Sequence, residues 1–211
     1  CPCQKSIATS EKKFICDFCE GFDDKPDAVY SCYSFHEPIN KMVRELKYQR
    51  RRNFARWLVE LVWLSHQERI RKLIKDHQLE TITCVPMTKD RQYKRGYNQA
   101  ELIARDLGKR LGMSVEPELI KRTKKVTPQV RVEDTALRYE NIKDAFSGSN
   151  CDHKRILIID DVMTTGSTMA ACTHALRRAG ATHIVSLTVA TAASFFLAQY
   201  LIDEEKPDGL L

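Results

Sequence analysis

The sequence predicts an α/β fold, a parallel sheet flanked by helices with a small Cys-rich module ahead of it. Three observations carry that prediction. Ile156, Leu157, Ile158 and Ile159 form an unbroken aliphatic run, the pattern of a strand buried on both faces. A helical stretch over 167–179, stopped by Gly180, and a second apolar strand over 183–189 follow it, and strand, helix and strand in that rhythm make a right-handed crossover. Cys1, Cys3, Cys16 and Cys19 crowd the first 19 residues while Cys84, Cys151 and Cys172 are scattered, which favours a metal-stapled module over a disulfide framework.

A chain of 211 residues holds one substantial domain and one small module. The module is expected at 1–35 and the domain at 36–211. Residues 1–35 are poor in aliphatics and cannot build a core unaided; below about 40 residues a metal or disulfides usually supply the staple. In Cys16-x-x-Cys19 the two intervening residues let both thiolates turn onto one tetrahedral ion, so a structural zinc on Cys1, Cys3, Cys16 and Cys19 is expected. Cys1-x-Cys3 is a residue short of the usual pair, and an upstream cysteine, Cys32 or His36 stand as alternative ligands.

After Pro38, Ile39, Met42, Val43 and Leu46 recur at helical spacing, and Trp57, Leu58, Leu61 and Val62 do so again, predicting two helices joined by 50–53. A further helix is predicted over 68–77 from Ile70, Leu73 and Ile74. Residues 81–85, β-branched and closed by Pro86, read as a strand entering a loop. Ala100, Ile103, Leu107 and Leu111 share a face before Gly112, an amphipathic helix over 98–111 with its stop signal in place. Residues 115–119 read as a short strand. Residues 122–150 show no clean period, and so long an irregular stretch in a compact domain is more often functional than decorative.

Charge narrows the partners. The chain carries 34 Lys and Arg against 28 Asp and Glu, a formal +6. The excess is local: Lys41, Arg44, Lys47, Arg50, Arg51, Arg52 and Arg56 face Glu45 alone, a run suited to an anionic partner. Single-stranded DNA contacts are expected at Arg50, Arg51 and Arg52, with Trp57 and Trp63 assigned to the core. His153, His174 and His183 read as isolated. Charges interrupt every apolar stretch, Glu60 within the best of them, so no membrane insertion is expected. With no export leader evident, a cytoplasmic location is expected.

The chemistry sits after the aliphatic run. Asp160 and Asp161 arrive at the carboxyl end of a strand, the edge at which open α/β sheets bind ligands. Thr164, Thr165, Gly166, Ser167 and Thr168 then lead into a helix, offering hydroxyls, backbone N–H groups and the positive end of the helix dipole to a phosphate. Two carboxylates would repel a bare phosphate. They suit the vicinal hydroxyls of a sugar, with Mg²⁺ lowering the repulsion. The combination specifies a ribose 5-phosphate held at both ends, and the loop lacks the Gly-Lys-Ser/Thr ending of a Walker motif.

The stretch from Ile156 to Thr168 resembles the phosphoribosyl pyrophosphate (PRPP) motif of type I phosphoribosyltransferases, and the chain is similar to the ComF/GntX family, which pairs such a domain with a Cys-rich finger. Arg91-x-x-x-Arg95-Gly96-Tyr97-Asn98-Gln99, Thr127-Pro128-Gln129, Arg138-x-x-Asn141 and Ala145-Phe146 extend the likeness over nearly the whole chain. The resemblance implies a type I phosphoribosyltransferase-like parallel sheet. It implies that Asp160 and Asp161 hold the ribose hydroxyls, that 164–168 hold the 5-phosphate, and that Arg91, Arg95 and Gly96 stand beside the pyrophosphate. It further implies that 122–150 lies where the family has a mobile hood, that Mg²⁺ accompanies PRPP, and that DNA uptake in natural transformation, with its competence proteins, is the setting. If transfer occurs, Arg91, Lys94 or Arg95 would stabilise departing pyrophosphate, which with Asp160 and Asp161 makes Arg95 a candidate catalytic residue. For the general base, Asp161, Glu133, Asp134 and Glu140 stay open. Two alternatives also stand: a metabolic phosphoribosyltransferase serving a base or amine, and a non-catalytic PRPP sensor.

Overall fold

The computed structural model describes residues 24–123 and 142–191. Five parallel strands form the main sheet in the order β1 (Ala28–Ser34), β7 (His183–Thr191), β6 (Arg155–Met163), β2 (Thr81–Cys84), β3 (Ser114–Val115). A separate antiparallel ribbon pairs β4 (Ile120–Arg122) with β5 (Phe146–Gly148). The helices are α1 (Ile39–Tyr48), α2 (Asn53–Asp76), α3 (Lys89–Arg95), α4 (Gln99–Leu111) and α5 (Ser167–Arg178).

Strand periodicity sorts the two cores. Side chains alternate across a strand, so Leu157 and Ile159 of β6 join the cluster under α1, α2 and α4, while Ile156 and Ile158 join the one under α5 and the β4–β5 ribbon. All four are essentially fully buried, as the aliphatic run predicts. The chain leaves β2 through α4 to reach β3 on one side, and leaves β6 through α5 to reach β7 on the other. Between β2 and β6 the winding therefore reverses, and a crevice opens there outside the strands' carboxyl ends.

Four elements differ from the sequence reading. The boundary drawn at residue 35 puts 28–34 in the Cys-rich module, yet this segment is β1, paired to β7 from Ala28↔Val185 to Ser34↔Thr191. As an edge strand it tolerates polar residues, and its buried Ser31 bonds Thr188 across the ladder at 2.7 Å. Cys32 is buried within the same strand, where burial pushes its thiol far above the ordinary range. Second, the two helices expected over 57–77 are one, α2, because the polar stretch Ser65-His66-Gln67 has work to do. His66 packs edge-on against Tyr30 and Tyr33 of β1 and bonds the Tyr30 hydroxyl at 2.8 Å.

The third difference is α3, a helix without a single buried residue and so without hydrophobic period. Its signals are caps: the Thr88 hydroxyl accepts from the Arg91 N–H, and Gly96 closes the helix at φ 81°. Fourth, β6 continues past Ile159 to Met163, so the two acids lie within the strand. The short strand expected at 115–119 is β3 followed by a 3-10 turn, Pro117–Leu119. Trp57, assigned to the core, is 53% exposed.

Candidate functional site

The crevice is a cleft of about 710 Å³. β6 supplies Asp160 and Asp161, the following loop Thr164, the first turn of α5 Thr168, the segment after β2 Val85 and Pro86, α3 Arg91 and Arg95, and the ribbon Arg122. Six of the residues singled out in the sequence thus meet in one place. Thr165, Gly166 and Ser167 shape the loop without lining the cleft. Gly166 takes φ 78°, a conformation L side chains rarely adopt, and leads directly into α5. The Thr165 and Ser167 hydroxyls bond each other at 3.0 Å. The N–H groups of the first turn of α5 have no intrahelical acceptors, which suits the loop to an anion. Gly96 closes α3 at φ 81°, between Arg95 and Asn98, which both line the cleft.

Strand parity also separates the two acids. Asp161 shares the face of Leu157 and Ile159 and meets α1, where Lys47 Nζ lies 2.9 Å from its Oδ1. Asp160 shares the face of Ile156 and Ile158. Its side chain is part-open to the cleft yet densely surrounded by protein, and its Oδ1 accepts from the Asp161 N–H at 2.8 Å. Burial first, and the neighbouring Asp161 charge second, push the Asp160 carboxyl up to about 8, with Lys47 pulling it back.

The cleft also has a cationic lining in Arg91, Arg95 and Arg122. Arg122 is half-buried on β4, and burial together with the charge of Arg91 depresses its guanidinium. Two arginines close enough to repel each other form a seat for an anion. Arg95 donates to Gln99 Oε1 at 3.2 Å and lies over the ring of Tyr48. Gln99, 2% exposed, keeps its Nε2 without a partner inside the cleft. Asn98 holds the loop in place, its Nδ2 donating to the Val85 carbonyl while its Oδ1 caps α4.

Sequence reasoning missed Arg122 and did not place Lys47 and Arg44 of the basic run, or Gln99 of the 91–99 motif, in this cleft. For Lys47 a signal exists: four residues after Val43 and eight after Ile39, it lies on the apolar stripe of α1, where a charge requires a partner. The Arg50–Arg52 stretch has internal engagements. Arg50 donates to the Lys94 carbonyl at 2.7 Å, Arg51 pairs with Glu45 at 3.2 Å, and Arg52 lies 5.4 Å from the centroid of Tyr97. His183 and His174 are likewise partnered, with His77 at 2.8 Å and Asp24 at 2.6 Å. Cys1, Cys3, Cys16, Cys19, Thr127, Pro128, Gln129, Glu133, Asp134, Arg138, Glu140 and Asn141 lie outside the described residues. No helix among the described residues is long and apolar enough to cross a membrane.

A parallel sheet with paired acids, a hydroxyl-rich loop and arginines at its switch point makes an α/β domain of the class whose strand ends suit a sugar phosphate. Residues 70–207 match the family model described as phosphoribosyl transferase domain. Over 200 residues the chain is 31% identical to competence protein F of Haemophilus influenzae, covering 86% of this chain and 85% of that protein. It is 33% identical over 148 residues to the DNA utilization protein YhgH of Escherichia coli, covering 68% of this chain and 63% of the relative. Adenine phosphoribosyltransferase from Thermoanaerobacter pseudethanolicus aligns with a TM-score of 0.41 at 14% identity, over 78% of this chain and 80% of that one. The chain belongs to the phosphoribosyl transferase domain family and, within it, to the ComF-like proteins.

Proposed function

We propose that this protein binds PRPP in the cleft between β2 and β6 and acts in DNA uptake. One observation carries the reading: the paired acids of β6 and the hydroxyls of Thr164 and Thr168 line a single cleft together with Arg91, Arg95 and Arg122. Acceptor-only carboxylates match the two ribose hydroxyls. The loop at 164–168 matches the 5-phosphate, and the arginines match the pyrophosphate. The carboxylates of Asp160 and Asp161 are hard oxygen donors, so they fit Mg²⁺ held jointly with the ligand's oxygens. When bound, the cation would neutralise charge on the pyrophosphate. Arg91 and Arg95 serve the same end by orienting and binding that group. The names of the H. influenzae and E. coli relatives support the setting in DNA uptake. A contact with single-stranded DNA is proposed at the exposed basic corner of 50–52, where Tyr48 and Tyr93, 68% and 90% exposed, stand as stacking surfaces. A structural zinc in 1–35 belongs to the same proposal.

Calorimetry of Mg-PRPP with the wild type and with the Asp160→Ala, Asp161→Ala double variant tests the site. Hydrogen bonds to charged groups contribute about 1.5–3 kcal/mol each, so losing both acids should weaken binding by roughly 10²- to 10⁴-fold. Wild-type affinity in a folded double variant would remove PRPP from this cleft.

A further inference from the structure

The Lys47–Asp161 contact is unlike the surface ion pairs elsewhere on the molecule. Both side chains are largely buried, 23% and 8% exposed, and the pair joins α1 to the carboxyl end of β6 inside the ligand cleft. Asp161 is one of the two carboxylates read above as the ribose and Mg²⁺ site. The ammonium thus already sits on an oxygen that a divalent cation would need.

The backbone that carries Lys47 is fixed. The Tyr97 hydroxyl donates to the Leu46 carbonyl at 2.7 Å, and just beyond the helix Arg50 donates to the Lys94 carbonyl at 2.7 Å. Arg95 lies over Tyr48, the residue after Lys47. With α1 clasped on both sides of position 47, the flexible four-carbon stem of the lysine is the part able to give way. A lysine suits such a role because it is a compact point charge on a mobile stem, whereas arginine would form a planar, two-pronged pair that is harder to leave.

Two adjacent carboxylates lining one cleft repel each other, and an isolated acid pair would bind free divalent cations. From this geometry we infer that Lys47 is a built-in counter-cation that competes with the divalent cation for Asp161. It keeps the free protein's cation affinity low and makes cation entry depend on arrival of a polyanionic sugar phosphate. The inference rests on the reading of Asp160 and Asp161 as the cation and ribose-diol site. On arrival, the ligand's phosphates offer the ammonium an alternative partner within the same cleft, and their oxygens complete the cation's shell. Cation and ligand then load together. Lys47 is a positioning residue here: it acts through Asp161.

The test uses Mn²⁺ alone, with no PRPP, and reads free Mn²⁺ by electron paramagnetic resonance in the presence of the full chain. Wild type should bind weakly. Lys47→Met and Lys47→Gln should bind about ten-fold more tightly, in the usual range for coupling between two ligands of one site, and Lys47→Arg should restore weak binding. The glutamine variant, which keeps length and polarity, gives a second reading should the methionine variant fold poorly. Mn²⁺ affinity within about two-fold of wild type in the folded Met or Gln variant, well short of that coupling, would overturn the inference. Since no PRPP is present, this failure is distinct from failure of wild type to bind PRPP by calorimetry.

Discussion

Removing the Tyr97 hydroxyl is the sharpest probe of how the fold sets the cleft. Tyr97 is 5% exposed and donates to the Leu46 carbonyl at 2.7 Å. Leu46 lies in the last turn of α1, where the Gln49 N–H bonds the Glu45 carbonyl and the carbonyls that follow it lack an intrahelical donor. Tyr97 satisfies one of these from a different part of the chain. In Tyr97→Phe the ring remains, Arg52 keeps its place over it, and no cavity forms, so the change isolates one hydrogen bond. Leu46 is fully buried, and an acceptor left unsatisfied in such a place costs about 1–3 kcal/mol. Urea unfolding of the described fold should show that loss as a lower midpoint at unchanged slope. Because Lys47 follows Leu46, Mg-PRPP affinity should fall as well. A loss under about 0.5 kcal/mol, below the lower end for a buried unsatisfied group, would mean that water or a neighbour replaces the hydroxyl and that α1 is not held by this clasp.

Two further predictions follow from charge. Burial and Asp161 raise the Asp160 carboxyl to about 8 in the folded protein, against an ordinary value near 4 when unfolded. A raised carboxyl pKa helps stability fully only below the unfolded value, and that help is lost as pH rises through about 8. Asp160→Asn should therefore melt progressively higher than wild type, without Mg²⁺ or ligand, as pH rises from 5 to about 8; a difference that shrinks over that range would contradict the burial argument. The second concerns Arg51, whose side chain is 65% exposed and whose pair with Glu45 lies at the surface. Arg51→Ala should leave stability nearly unchanged and reduce the salt dependence of single-stranded DNA binding by about one unit of slope. An unchanged slope in fluorescence anisotropy would place the strand elsewhere.

Legibility in the sequence followed burial. The aliphatic run of β6, the amphipathic face of α4 with Gly112 behind it, and the acid pair before Thr164 were readable because period and residue type pointed the same way. β1 was not, since an edge strand with Tyr30, Ser31 and Tyr33 lacks the continuous apolar run of a central one. α3 was not, since a fully solvated helix has no stripe; its caps alone betray it. The polar stretch of α2 misled for the converse reason: His66 is helical because tyrosines across the interface require a polar partner, which is tertiary information. At the site, Asp160, Asp161, Thr164 and Thr168 could be named because they are contiguous. Arg122 and Lys47 reach the same cleft from 38 residues and 113 residues upstream of Asp160, and only the folded sheet brings them there.

The basic run on and after α1 shows why a count of charges is a weak functional signal. A helix turns 100° per residue, so consecutive charges point around the whole circle. Position 47 follows the apolar stripe inward and reaches Asp161; position 44 stands at the lip of the cleft. Past the helix end, Arg50 and Arg52 are spent on Lys94 and Tyr97, and Arg51 faces solvent beside Glu45. The residues that looked like one electrostatic surface thus divide among the cleft lining, the clasp and the solvent-facing corner. The same parity rule divides the acid pair: one register step on β6 would swap which carboxylate meets Lys47, and with it which one is left to carry an unbalanced charge. Identity of the pair could be read from sequence; the inequality of its two members is a property of the sheet.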